Sequence, residues 1–437
     1  MTLHPAGPTP TRVRLTGRGV GLAGTGTALA VGGHLVDLSA VALAGCIILA
    51  APLASWLALR ARPLGPRLRV RRSLQPTPAH AGQDVSVTTE VGPARPTSWS
   101  VAASRALNLG EAVPAALRGH AVLRAAVRPT PRGTSLHYTL RPRQRGRWPV
   151  GPLAARRYDA LGLATATEQV GEAVPLTVWP SLITGTISDT GARSGLTPMR
   201  AGANDPSDED TSLRTYQAGD DLRRVHWASA ARHGELMVRT SEGASQAPVC
   251  VILDVASLTG GGEPGSQRHV ALEWTVSVAA SVAVSLLDSG HPVRLVLSDG
   301  GTAQAGLRGG DGQAGARWVR SRDAQGHAVL LDLTVDAGRR EPGDTTAGTR
   351  DDVLSGLVGD SQLGEILIAV TASTSRDETS PLAVVGGTAS RRYAIVVPVD
   401  KTQDAVPTLL EHGWRATTLP VGGDLPAAWD QLTGGIR

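Results

Sequence analysis

APVCVILDVAS, residues 247–257, is a short and nearly continuous apolar run. A run of this length predicts a strand buried on both faces of a sheet. Downstream, a long amphipathic run from about His269 to Leu287 reads as a helix, and VRLVLS (293–298) reads as a second strand. Gly-rich residues 299–315 form a loop, and EILIAVTAS (365–373) and YAIVVPV (393–399) are two further strands with helical candidates between them. Strands alternating with helices predict a parallel, doubly wound α/β domain over residues 247–437.

Upstream the pattern changes. Residues 63–180 contain VSVTTEV (85–91), SWSVAAS (98–104), AVLRAAV (121–127), SLHYTL (135–140) and VPLTVWP (174–180), short and roughly alternating. Turn residues separate them, which predicts a small antiparallel β-sandwich-like domain. Residues 181–212 are rich in Gly, Ser, Thr and Asp and read as a flexible linker or long loop.

Residues 1–62 carry the apolar extremes. SAVALAGCIILAAPLASWLAL (39–59) contains no charge, and about 20 helical residues cross the ~30 Å hydrocarbon core of a bilayer. Pro52 is tolerated there as a kink, and Trp56 suits an interface. A second apolar run, Gly19 to Leu38, precedes it. It is either a first transmembrane helix or the core of a signal peptide cut after Ala28-Leu29-Ala30. Arg12, Arg14 and Arg18 lie before this run, and Arg60, Arg62, Arg67, Arg69, Arg71 and Arg72 follow the second. Positive flanks stay cytoplasmic, so they favour a transmembrane helical hairpin with both ends inside and the bulk of a multi-pass chain in the cytoplasm.

The 437 residues suffice for two or three domains. With no Phe and four Tyr, the cores rest on Leu, Val, Ala and Ile. The net charge is +5, and nearly all the positive charge is arginine, spread along the chain without interleaved aromatics. That pattern argues against nucleic-acid binding, which needs clustered positive charge on one face. Cys46 and Cys250 fall in different segments, so no disulfide is expected.

The densest polar stretch is LRTYQAGDDLRRVHWASAARHGELMVRTSE, within residues 213–246. It carries Arg214, Tyr216, Gly219, Asp220, Asp221, Arg223, Arg224, His226, Trp227, Arg232, His233, Glu235, Arg239 and Glu242, and LMVRT reads as a strand. Guanidinium forks pair with carboxylates, so one reading is an ion-pair lattice joining the β-rich and α/β domains. A second is a surface for a protein partner. A third is a site using Asp221 and His226 as acid and base, although no nucleophile or oxyanion motif accompanies them.

This stretch resembles the signature of the bacterial family called domain of unknown function 58. The pattern is Arg214-x-Tyr216, Gly219-Asp220-Asp221, Arg223, His226-Trp227, Ala231-Arg232 and Leu236-x-Val238-Arg239, ending in Glu242. RGRWPVGPL (145–153), Asp159 and Gly162-Leu163-Ala164 are similar to the family's preceding segment. The resemblance implies an inner-membrane anchor and a von Willebrand factor A-like α/β domain. It also implies an association with a MoxR-type AAA+ ATPase and with a transglutaminase-like membrane protein, and no defined catalytic activity.

A von Willebrand A domain holds Mg²⁺ through Asp-x-Ser-x-Ser after its first strand, with hard oxygen ligands. Here the strand runs into Asp254-Val255-Ala256-Ser257-Leu258. Only Asp254 matches, and Ser257 is out of register. The aspartate expected after Thr371 is absent, so the site reads as degenerate. Asp254 is then expected to cap a helix or bond a loop. Residues 299–315 contain no phosphate-loop Gly-Lys-Thr/Ser, and the histidines show no His-Glu-x-x-His spacing.

Overall fold

A computed structural model describes residues 12–63, 67–118, 126–183, 211–215, 237–241, 246–258, 265–298, 318–338, 350, 353–355, 357, 365–372, 375–386, 391–399 and 405–434. The chain divides into two units, Met1–Trp179 and Pro180–Arg437.

The first unit begins with strand β1 (Arg12–Leu15), followed by helices α1 (Gly17–Leu35) and α2 (Ser39–Ala61). Thr16 caps α1: its hydroxyl accepts from the Gly19 N–H at 3.2 Å and donates to the Gly162 carbonyl at 2.6 Å. The two helices run so close that a Cβ at Gly45 would lie 2.3 Å from the Ala30 nitrogen. One at Gly33 would lie 2.5 Å from the Ala42 nitrogen. Glycine is required at such approaches. The outer surface of the pair is apolar and bare: Leu35, Leu43, Ile47, Leu53 and Leu57 are all exposed.

The β-rich part holds three sheets. β1 pairs with β10 (Ala164–Val170), then β9 (Leu153–Tyr158), then β5 (Asn108–Glu111), all antiparallel. A second antiparallel sheet has the order β2 (Leu68–Gln75), β4 (Val85–Pro93), β7 (Gly133–Leu140), β6 (Ala126–Thr130). The third has the order β3 (Ala79–His80), β11 (Val174–Trp179), β8 (Gly146–Val150). The period-2 pattern of β4 sends Val85 and Val87 inward. There they share one apolar cluster with Leu74, Leu140, Val150, Leu176 and Val178.

The first sheet also grips α2. Leu59 packs on Ala164 and Ala166. Arg157 of β9 donates to the Leu59 carbonyl at 2.8 Å and to the Arg62 carbonyl, satisfying oxygens that a helix end leaves open. The Ser55 hydroxyl donates to Asp159 Oδ2 at 2.9 Å.

One expected strand differs. Residues 98–104 are not a strand but helix α3 (Ser98–Arg105), and the short helix α4 (Ala115–Arg118) follows it. Thr97 and Ser100 form a reciprocal capping box, with Ser100 N–H on Thr97 Oγ1 at 3.1 Å and Thr97 N–H on Ser100 Oγ at 2.8 Å. Local capping overrides the loose alternation there. Of the strand expected over 121–127, residues 126–127 open β6, and residues 121–125 lie outside the described residues.

The second unit holds a small ladder, β12 (Thr211–Thr215) antiparallel to β13 (Met237–Ser241), and a five-stranded parallel sheet. The sheet order is β15 (Val293–Ser298), β14 (Val249–Asp254), β16 (Ile366–Thr371), β17 (Arg391–Val396), β18 (Arg415–Thr418). Helix α5 (Gln267–Asp288) connects β14 to β15, and α6 (Ala324–Thr334) lies between β15 and β16. Helices α7 (Arg376–Ala383), α8 (Ala405–Glu411) and α9 (Leu425–Thr433) follow β16, β17 and β18. Alternate strand residues feed two cores. Val251, Leu253, Ile368 and Ile395 join α5 and α9 in one, and Cys250, Ile252, Leu367 and Ala394 join α7 and α8 in the other. Both faces are covered, so the sheet is doubly wound. Cys250 is buried in β14 and Cys46 is exposed on α2, both as free thiols.

Helix α5 is not amphipathic. Ser277, Ser281 and Ser285 supply the polar pattern, yet all three are buried. Residues 181–183 cover them: Ser181 Oγ lies 3.2 Å from Ser277 Oγ, and the Ile183 N–H donates to Ser281 Oγ at 2.9 Å. The start of the expected linker is therefore docked, and its end, Thr211–Ser212, belongs to β12. Residues 184–210 and the Gly-rich 299–315 lie outside the described residues. Two described helices are long and apolar enough to cross a membrane, α2 and α5. They differ in setting: 83 % of the apolar span of α5 is buried inside its unit, against 11 % for α2. With seven glycines in 19 residues, α1 falls short of that apolarity on its own.

Candidate functional site at the carboxyl end of the parallel sheet

β14 is where the strand order reverses, with β15 on one side and β16 on the other. Ligand sites in such sheets form at the carboxyl ends of these strands. The register sets Asp254 beside Ser298 on β15 and Thr371 on β16. All six residues of β14 are buried, and Asp254 is 1 % exposed. A carboxylate that deep must be compensated.

Arg350 provides the compensation. Its Nε donates to Asp254 Oδ1 at 3.0 Å and its Nη2 to Oδ2 at 2.6 Å. The Thr371 hydroxyl adds a hydrogen bond to Oδ2 at 3.0 Å. Where a helix cap or a loop hydrogen bond is expected of Asp254, the carboxylate takes part in a two-point ion pair. Beyond Asp254 the chain makes a 3₁₀ turn, Ala256–Leu258, in which Leu258 is a buried member of the apolar core. Ala256 has no side-chain oxygen and Leu258 packs inward, so neither position offers a ligand. The hydroxyls of Ser257 and Ser298 are buried without a hydrogen-bond partner among the described residues. Oxygen donors for a hard cation are therefore Asp254, Thr371 and these two serines, with Arg350 across the carboxylate. No group of three or more His, Cys, Asp or Glu side chains is placed to hold a metal among the described residues.

At the amino end of the same sheet lies a second ion pair that sequence reasoning missed. Arg294 Nε donates to Glu365 Oε1 at 2.9 Å and Nη2 to Oε2 at 3.2 Å, with both side chains almost fully buried. The Trp318 ring lies 5.0 Å from the Arg294 guanidinium carbon, a stacking that suits a desolvated arginine.

In the first unit, the Glu111 carboxylate is surrounded by donors. Arg72 pairs with it, the Thr89 hydroxyl reaches Oε2 at 3.0 Å, and the Tyr138 hydroxyl reaches Oε2 at 2.7 Å. Burial pushes the Tyr138 phenol far above its ordinary range, and the Glu111 carboxylate adds to that. No sequence signal marks these partners, which lie on separate strands.

The polar stretch selected from sequence is described only at its edges. The β12–β13 register sets Arg214 opposite Val238 and Leu213 opposite Arg239. Tyr216, Gly219, Asp220, Asp221, Arg223, His226, Trp227, Arg232 and Glu242 lie outside the described residues, as does the Asp221–His226 pairing. Residues 212–319 match the family model described as "Protein of unknown function DUF58". The match takes in that stretch, β14 with Asp254, α5 and β15. No curated protein and no solved structure matches the chain.

Proposed function

We propose that the chain is a membrane-anchored, non-catalytic scaffold that presents its α/β unit to a protein partner on the cytoplasmic side. One observation carries the anchoring: β1, before α1, and Leu59, at the end of α2, both attach to the sheet containing β10. Both ends of the helix pair therefore sit on one side, as a transmembrane hairpin requires. A cleaved signal peptide would instead remove β1 and open the edge of β10. The bare apolar surface of α2 supports insertion, and the flanking arginines support the cytoplasmic orientation. The bidentate Arg350–Asp254 pair supports binding over chemistry at the switch point.

The resemblance to domain of unknown function 58, in a von Willebrand A-like setting, makes a MoxR-type AAA+ ATPase the partner to test first and a transglutaminase-like membrane protein the second. Crosslinking in intact membranes, followed by mass spectrometry, is expected to join the α/β unit to such an ATPase. Recovery of no ATPase from membranes that contain one would reject that partner. Digestion of the β-rich and α/β units by protease added outside spheroplasts would invert the orientation and end the scaffold reading.

A second reading is a metal-dependent binder of the von Willebrand A type, favoured by the Thr371 hydroxyl on Asp254 and by the buried hydroxyls of Ser257 and of Ser298, the register partner of Asp254. Calorimetry with Mg²⁺ and Mn²⁺ on the detergent-solubilised chain decides it, since silence at millimolar metal removes it.

A further inference from the structure

The β-rich unit carries a cleft that the scaffold reading leaves unused. It encloses about 550 Å³ and is lined by Arg69 and Arg71 on β2, Glu90 and Gly92 on β4, and Thr130 and Arg132 at the β6–β7 turn. All three arginines are exposed, and none makes an ion pair or side-chain hydrogen bond among the described residues. Three guanidinium groups against one carboxylate leave the cleft strongly positive.

The cleft is held in shape. A Cβ at Gly92 would lie 2.4 Å from the Arg132 carbonyl oxygen, and one at Gly133 would lie 2.0 Å from the Val91 carbonyl oxygen. Two glycines thus let the turn bearing Arg132 press against the end of β4. From behind, Arg105 of α3 holds the same turn through the Gly133 carbonyl at 3.4 Å and the Thr130 carbonyl. Rigid placement of guanidinium forks suits the oxygens of a phosphate.

Position selects the source of that phosphate. Arg69 follows the last residue of α2 by eight positions, a reach of at most ~29 Å even when fully extended. The end of α2 is itself held by Arg157, and by Ala164 and Ala166 against Leu59. If α2 crosses the bilayer, the cleft opens within reach of the headgroup layer, whose anionic lipids attract juxtamembrane arginines.

We infer that Arg69, Arg71 and Arg132 form a binding site for the phosphate headgroup of an anionic phospholipid of the inner leaflet. This rests on the reading of α2 as a membrane anchor. The site fixes the height of the β-rich unit against the membrane surface.

The test uses the full chain in dodecylmaltoside micelles, titrated with phosphatidylglycerol and, separately, phosphatidylcholine. Retained lipid is counted by native mass spectrometry, and hydrogen exchange is followed at residues 130–133. Phosphatidylglycerol is expected to bind selectively and protect that turn. Arg69→Gln, Arg71→Gln and Arg132→Gln are each expected to weaken binding by about fivefold, and the triple lysine variant, which keeps the charge and loses the forks, to bind more weakly than the wild type and more tightly than the triple glutamine variant. Equal binding of the two lipids, or unchanged binding by the triple glutamine variant at an unchanged melting temperature, overturns the inference. Binding of glycerol 3-phosphate as tight as that of the lipid overturns the lipid assignment in favour of a soluble phosphate. An oligonucleotide that displaces the lipid at equal concentration overturns it in favour of nucleic acid. Alkaline carbonate extraction separates the two failures. A chain that washes off the membrane fails the anchor reading, and one that stays but ignores phosphatidylglycerol fails only this inference.

Discussion

Arg350 lays its guanidinium across the Asp254 carboxylate, Nε on Oδ1 at 3.0 Å and Nη2 on Oδ2 at 2.6 Å, at the switch point of the parallel sheet. Asp254 is 1 % exposed and the Arg350 side chain 16 %. Removing one partner of a buried pair strands the other charge. Arg350→Met is expected to destabilise the α/β unit by about 3–5 kcal/mol. Arg350→Met with Asp254→Leu is expected to recover most of that loss. Differential scanning fluorimetry on the four proteins measures the coupling, and additive losses would mean that the pair contributes little.

The glycines of the helix pair separate two roles. Gly45→Ala places a methyl 2.3 Å from the Ala30 nitrogen and must part α1 from α2. At Gly24 nothing lies within 4 Å, so Gly24→Ala meets open space. There the helix gains about 0.5–1 kcal/mol from alanine's propensity. Thermal melts in detergent are expected to fall for Gly45→Ala and hold or rise for Gly24→Ala.

Asp159 gives the foot of α2 a pH dependence. Burial works to raise its pKa, but hydrogen bonds from the Ala164 N–H, the Ser55 hydroxyl and the Leu161 and Leu163 N–H groups outweigh it. They hold the carboxyl below its ordinary value of 3.8. A carboxyl depressed by folding contributes stability that is present above the ordinary value and lost as pH falls through the folded one. Hydrogen exchange at residues 161–164 is therefore expected to quicken as pH drops below 3.8, after correction for its intrinsic pH dependence. Asp159→Asn is expected to remove that acid limb while raising exchange at neutral pH.

Tyr138 has the opposite sign. Its phenol pKa is raised by burial and by Glu111, so its contribution is intact below the ordinary value near 10 and lost as pH rises. Alkaline melts are expected to show this loss in the wild type and a flatter limb in Tyr138→Phe. At neutral pH that variant is expected to be less stable by about 1–2 kcal/mol, from the lost hydrogen bond to a charged acceptor.

Four of the five strands of the parallel sheet were legible in sequence because a strand buried on both faces is apolar nearly throughout, as in 249–254. The polarity of α5 misled, because its serines face chain that covers them and no local pattern announces residues 181–183. α3 was written in Thr97 and Ser100, a capping signal that weak alternation obscured. β18 was missed because RATT, residues 415–418, is short and polar. Arg350 was invisible as a partner, since its carboxylate lies 96 positions away. The basic run after α2 read as flanking charge alone. Strand pairing then divides it, turning Arg72 toward Glu111 and leaving Arg69 and Arg71 at the cleft.

The strand Arg12–Leu15 sets a timetable for synthesis. Its partner Thr167 leaves the ribosome ~150 residues later, a wait of roughly 8–30 s at ordinary translation speeds of about 5–20 residues per second. For about the last two-thirds of that interval the two helices are complete while the first strand still lacks its mate. On the proposed reading of the pair as a membrane hairpin, insertion precedes closure of the sheet. That hairpin would then hold its leading strand on the ribosome's side of the bilayer until the strand that claims it emerges.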